Sequence, residues 1–116
     1  MVYVYLLDEH IKREINNYLE KIPPLKQCWM DILNNDKIIM ENSDIGYVIY
    51  QDSEDVIKIS GYPITIDDLI HELIHRYRNI SGKIRKDLEG MLIAEELIAE
   101  AVTYLIIGNK KSLEGR

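Results

Sequence analysis

The residues with the clearest capacity for chemistry form one short motif, His71-Glu72-Leu73-Ile74-His75. Side chains four positions apart lie on the same face of a helix, with Cβ atoms about 5–6 Å apart. Two imidazoles at this spacing can bind one zinc ion, which takes histidine nitrogen at about 2 Å. The residue after the first histidine lies to one side, where its carboxylate can hold a water molecule beside the metal. The motif therefore predicts a metal site with an adjacent general base.

A third metal ligand is expected from another part of the chain, because catalytic zinc usually has three protein ligands and one open position. Residues 94–103 carry Glu95, Glu96 and Glu100 in an otherwise apolar helical pattern. An unpaired charge is costly to bury in such a helix, so a metal with its histidine ligands would compensate these carboxylates. The alternative is that they pair with arginine or face solvent. His10 lies in a polar run and is expected at the surface.

The elements that must position these residues follow from hydrophobic periodicity and from cap and turn signals. Thr65, Asp67 and Asp68 predict the start of the helix that carries the motif. The Pro23-Pro24 pair is expected to end the first helix, and Gly108-Asn109 the last. The predicted helices cover residues 8–21, 25–33, 65–79 and 87–107, and the predicted strands cover residues 37–40, 46–51 and 55–60, with a turn at 52–54. Residues 1–7 alternate weakly and are a strand or a lead-in.

This order of elements predicts an α+β fold in a single domain that covers residues 1–116. N-terminal helices come first, a small three-stranded β-sheet follows, and the motif helix and a C-terminal glutamate helix complete the chain. A chain of 116 residues is long enough for one compact core.

Composition excludes several classes of partner. The formal net charge of −6 argues against a nucleic-acid partner and an anionic membrane surface, since both need clustered basic residues. The longest apolar stretch, residues 91–107, carries three carboxylates, which argues against a membrane span. Cys28 is the only cysteine, so no intrachain disulfide can form, and the N-terminus has no signal-peptide pattern. These features predict a soluble cytoplasmic protein.

The motif followed by Glu96-Leu97-Ile98-Ala99-Glu100 resembles the gluzincin pattern, in which HExxH precedes a helix reading E-x-x-A-D or E-x-x-A-N. The short chain, the small sheet before the motif and the paired helices resemble the minigluzincins, a family of single-domain zinc metallopeptidases. The resemblance implies that His71, His75 and Glu96 bind one zinc ion and that Glu72 is the general base. Glu100, which stands where many members have Asp or Asn, would support a ligand histidine, and Glu95 is the competing third ligand.

The function implied is hydrolysis of a peptide or protein substrate through a metal-bound water, with Tyr104 or Tyr62 as a candidate donor to the oxyanion. The substrate would add as a further strand to residues 46–51 or 55–60. The resemblance also suggests latency, with a chain end such as residues 109–116 occupying the cleft, and the apolar last helix permits self-association. Two alternatives remain. One is a regulatory zinc metalloprotein that acts on a single repressor partner, and the other is a structural domain without metal.

Overall fold

The computed structural model describes residues 2–83 and 91–114, and it has the predicted α+β architecture. Helices and strands follow one another in the order β1 (Tyr3–Val4), α1 (Glu9–Tyr18), α2 (Pro23–Asn34), β2 (Ile38–Glu41), β3 (Tyr47–Gln51), β4 (Val56–Ser60), β5 (Ile64–Thr65), α3 (Ile66–Ile80) and α4 (Met91–Glu114). Two helices therefore precede a small sheet, and the two longest helices follow it. Within the described residues, no helix is long and apolar enough to cross a membrane.

Three helix boundaries differ from the prediction, and the first is the end of α1, which lies at Tyr18 rather than at residue 21. Pro23 and Pro24 form the first turn of α2 rather than the stop of α1, because a residue in the first turn needs no intrahelical N–H bond. The last helix does not stop at Gly108-Asn109 but continues to Glu114. Burial of Ile106 and Ile107 holds this end of α4 against the core, which outweighs the roughly 1 kcal/mol cost of a glycine within a helix. The predicted start of this helix at residue 87 lies outside the described residues.

The three-stranded sheet has the order β2-β4-β3. Strands β3 and β4 form the predicted antiparallel hairpin, in which Tyr50 lies opposite Ile57, and β2 runs parallel to β4 on its other side. Because both edges of β4 are paired, the expectation that residues 55–60 could offer an edge to a substrate is wrong. Among the described residues, β3 retains a free edge, and this strand packs against α3.

The start of α3 is set by a second, two-stranded sheet. Strand β1 pairs antiparallel with β5, so the N-terminal segment does contain a strand. Strand β5 ends at Thr65, and α3 begins at the next residue. The backbone N–H of Ile66 also donates to the carbonyl of Val2 at 3.1 Å. This pairing anchors the first turn of α3 to the N-terminal segment.

The core lies where α3 meets the sheet and the other helices. α3 contributes an inward stripe of apolar residues at helical spacing, as the sequence predicts. The fully buried residues around it come from α2, β4 and α4, and they include Trp29, Ile32, Ile57, Ile59 and Ala99. The motif residues therefore lie on the helix with the most extensive packing in the described chain.

Candidate metal centre

The motif residues lie in the middle of α3, on the part of its surface that faces α4. The hydroxyl of Thr65 caps this helix by accepting the N–H of Asp68 at 3.1 Å. Burial of the opposite stripe fixes the rotation of the helix about its axis. As a result, the side chains of His71, Glu72 and His75 are only 13–16% exposed. They form the floor of a depression rather than a solvated stripe.

Glu96 of α4 completes a cluster with the two histidines. The Nε2 atoms of His71 and His75 lie 3.0 Å apart. One carboxylate oxygen of Glu96 lies 3.1 Å from Nε2 of His71, and the other lies 2.8 Å from Nε2 of His75. The ligand atoms of these three residues lie within 4.8 Å of one another, which is close enough to hold a metal ion. Among the residues that the structure describes, no other group of histidine, cysteine and acidic side chains meets this condition.

The donor atoms fit a zinc ion in spacing. Tetrahedral zinc with bonds of 2.0–2.1 Å requires its ligand atoms to be about 3.3 Å apart. The three separations in the cluster are 2.8, 3.0 and 3.1 Å, so a small outward movement of each side chain would suffice. Two histidine nitrogens and a carboxylate are also a donor set that zinc accepts.

The donor atoms also fit a cation in charge when His71 carries its proton on Nδ1, the ring nitrogen beside Glu100. An oxygen of Glu100 lies 3.1 Å from Nδ1 of His71. When Nδ1 donates its proton to this carboxylate, Nε2 of the neutral ring keeps its lone pair. That lone pair then faces Nε2 of His75 and the Glu96 carboxylate, and a cation among these atoms would relieve their repulsion. Carboxylates commonly orient ligand histidines in this way.

Burial shifts the pKa values of two motif residues. It raises the pKa of Glu72 to about 7, and this effect exceeds the opposing attraction of His71 and the backbone hydrogen bond from Tyr50. The Glu72 carboxylate lies 4.0 Å from Nε2 of His75. Burial also lowers the pKa of His75, although the nearby Glu96 opposes the shift. His75 is therefore more readily neutral, which is the form that binds a metal.

Glu95, the alternative third ligand, has a different partner. Its side chain is turned into the protein and is 2% exposed. Both of its carboxylate oxygens accept hydrogen bonds from Arg78, with an Nη2–Oε1 distance of 2.9 Å. The alternative, in which a glutamate of this helix pairs with an arginine, therefore applies to Glu95, whereas Glu96 lies with the histidines.

The two tyrosines suggested as oxyanion donors lie in different surroundings. The Tyr62 hydroxyl accepts the N–H of Leu7 at 3.1 Å and contacts the sulfur of Met40. Tyr62 lines a separate, shallow cavity of about 770 Å³ beside β2. Tyr104 lies on α4, and 78% of it is exposed. Neither tyrosine lines the cavity at the histidine cluster, and His10 is exposed on α1.

A cavity of about 380 Å³ opens beside the cluster between α3, α4 and β3. Its wall includes Ile49 and Tyr50, which belong to the segment 46–51 that the sequence suggested as a substrate edge, whereas sequence reasoning missed Asp52, Asn79 and Leu92. The hydroxyl of Tyr50 donates to Asp55 at 2.8 Å and accepts from the Asn79 amide at 3.0 Å. No local pattern along the chain shows that β3, rather than β4, is the strand that offers both a free edge and a wall beside α3.

Comparisons with known proteins found no match to this chain. No family model, curated protein or solved structure matches the chain.

Proposed function

We propose that this chain is a zinc-dependent peptidase of the minigluzincin type, in which His71, His75 and Glu96 hold the metal ion and Glu72 is the general base. One observation carries the proposal. Donor atoms from two helices converge within hydrogen-bonding distance of one another, next to a mostly buried carboxylate that has no cationic side chain bonded to it among the described residues. Two imidazole nitrogens and a carboxylate are a donor set that zinc accepts.

Each protein group has a separate part in the proposed reaction. When bound, zinc supplies a Lewis acid, which acidifies water and stabilises negative charge on oxygen. Glu72 takes a proton from the attacking water and passes it to the leaving amine. Glu100 holds the Nδ1 proton of His71, so that Nε2 faces the metal. The Glu72 side chain is only 16% exposed, and its limited contact with water strengthens its electrostatic interactions.

An extended peptide is the substrate that best suits the cavity. The wall of the cavity includes Ile49 and Tyr50 of β3. Among the described residues, this strand has a free edge. A peptide could pair with this edge through backbone hydrogen bonds, which bind many sequences without relying on side chains. The acidic net charge disfavours nucleic acid and anionic lipid as partners. The single buried cysteine suits a reducing cytoplasm.

The test is hydrolysis of a mixed peptide library by the zinc-loaded chain and by Glu72→Gln at the same zinc content. We expect the wild type to cleave and Glu72→Gln to bind zinc equally but to cleave at least about 100-fold more slowly, the lower end of the range of a general-base effect. Glu54→Gln, which changes an exposed glutamate in the β3–β4 turn, should leave cleavage unchanged. Equal cleavage by Glu72→Gln, or none by the zinc-loaded wild type, would refute the proposal.

A further inference from the structure

Between Ile93 and Leu105, the outward face of α4 consists of apolar residues. The helix packs on the core through residues that include Glu95, Ala99, Thr103, Ile106 and Ile107, all buried. On the opposite side, Ile93, Leu97, Tyr104 and Leu105 are each 66–78% exposed. These four residues, with Ala101 between them, form what we call the outer stripe.

The outer stripe is unusual for a helix on a protein surface. A surface helix normally places charged or polar residues opposite its core face, and a helix that is apolar all round is normally buried. From Leu92 to Gly108, the only charged residues are three glutamates. Glu95 bonds with Arg78, whereas Glu96 and Glu100 bond with the histidines. No charge is therefore left for the outer stripe, which has the composition of a helix covered on both sides.

The size of the outer stripe suits a protein interface. Four large side chains with this exposure make a patch on the order of 500 Å², at the upper end of what a monomer leaves uncovered. A standard specific interface buries about 800 Å² from each partner and has an apolar centre within a polar rim. The outer stripe is thus large enough to be the centre of an interface.

We propose that a second copy of this chain covers the outer stripe, with the two α4 helices antiparallel and a two-fold axis near Ala101. The smallest residue of the stripe lies in its middle, and large residues lie three to four positions to either side. Turning the helix by 180° about Ala101 therefore places Leu97 of one copy against Tyr104 and Leu105 of the other. This self-complementarity is what a two-fold interface requires, and the small side chain allows close approach of the helices.

The first test is sedimentation of the whole chain over a range from low micromolar to near-millimolar concentration. We expect a dimer whose dissociation constant rises at least about tenfold in Leu97→Lys, since a charge would lie in the desolvated centre of the interface. Ile45→Lys, at another exposed isoleucine far along the chain from α4, should leave the dimer unchanged. A wild type that is monomeric throughout, or a dimer that Leu97→Lys does not weaken, would overturn the proposal.

The second test is cysteine cross-linking, which decides the helix direction. A disulfide needs Cα atoms within about 7 Å, and in the proposed dimer only residues near the axis meet their own counterparts. Ala101→Cys should therefore cross-link readily under mild oxidation. Ile93→Cys should not cross-link. Residue 93 lies eight residues, or about 12 Å, from the axis in each copy, so its two copies are about 24 Å apart along the helices. The native Cys28 is buried and serves as the wild-type background. Cross-linking of Ile93→Cys as efficient as that of Ala101→Cys would overturn the antiparallel arrangement.

Discussion

Arg76 binds Asp55 through two parallel hydrogen bonds, Nε–Oδ1 at 2.9 Å and Nη2–Oδ2 at 3.0 Å. Arg76 follows His75 on α3, its side chain is 3% exposed, and its Nη2 also donates to Asp31 of α2 at 2.8 Å. Asp55 lies in the β3–β4 turn and accepts the hydroxyl of Tyr50. This buried cation therefore joins the motif helix to α2 and to the hairpin that forms one wall of the cavity.

Asp55→Asn is expected to lower the free energy of unfolding by about 2–3 kcal/mol, because it leaves a buried guanidinium short of one charged acceptor. Asp55 has a positive φ of 54°, a conformation that Asn also tolerates, so the change tests the charge rather than the backbone. Urea unfolding measures the effect. Asp36→Asn is a matched control, since Asp36 has a φ of 51° and is exposed. Equal losses in both variants would show that the Arg76 contact contributes nothing.

The same pair predicts how stability depends on pH. Burial alone would raise the pKa of Asp55, but hydrogen bonds from Arg76 and Tyr50, with the charge of Arg76, outweigh it and hold the pKa below its ordinary value. The stabilisation is therefore complete above the unfolded-state pKa of about 3.9 and is lost as pH falls through the lower folded-state value. We expect the stability difference between wild type and Asp55→Asn to be constant from neutral pH down to about 5 and to shrink below about 4. A difference that is unchanged in acid would contradict this assignment.

The pair of adjacent glutamates on α4 allows a direct test of the metal ligand. Glu96→Gln should weaken zinc binding by more than about 100-fold, because it removes a charged ligand rather than a supporting contact. Glu95→Gln should bind zinc nearly as well as the wild type but unfold more easily, since Arg78 loses its charged partner. Competition with a chromophoric chelator measures the affinity. If the two variants exchange these phenotypes, Glu95 is the ligand.

Glu100 should affect zinc binding more moderately. Glu100→Gln keeps the size of the side chain but weakens its bond with Nδ1 of His71, and losses of this kind lower affinity by about 10–100-fold. Chelator competition again provides the measurement. Glu41→Gln, an exposed change at the end of β2, provides the control. An affinity equal to that of the wild type would mean that the Glu100 contact does not orient His71.

Local patterns predicted the elements and the motif because they depend on short-range geometry. Thr65 caps α3 as its sequence signals, the hairpin forms where two strand patterns meet at a turn, and the spacing of His71 and His75 brings their rings together on one helix. The N-terminal signal of α2 was misread, since Pro23 and Pro24 suit the first turn of a helix as well as they suit its end.

The sequence by itself determined which residues could bind a metal, because i and i+4 positions share a helix face whatever surrounds them. Only the tertiary structure placed Glu96, and not Glu95, beside the two histidines, since neighbouring residues point about 100° apart and the rotation of α4 against α3 selects one of them. The same packing turned Arg76 inward to Asp55, placed β4 between two partners, and left the outer stripe of α4 without a cover. These outcomes depend on which surfaces are buried together, and no local pattern along the chain contains that information.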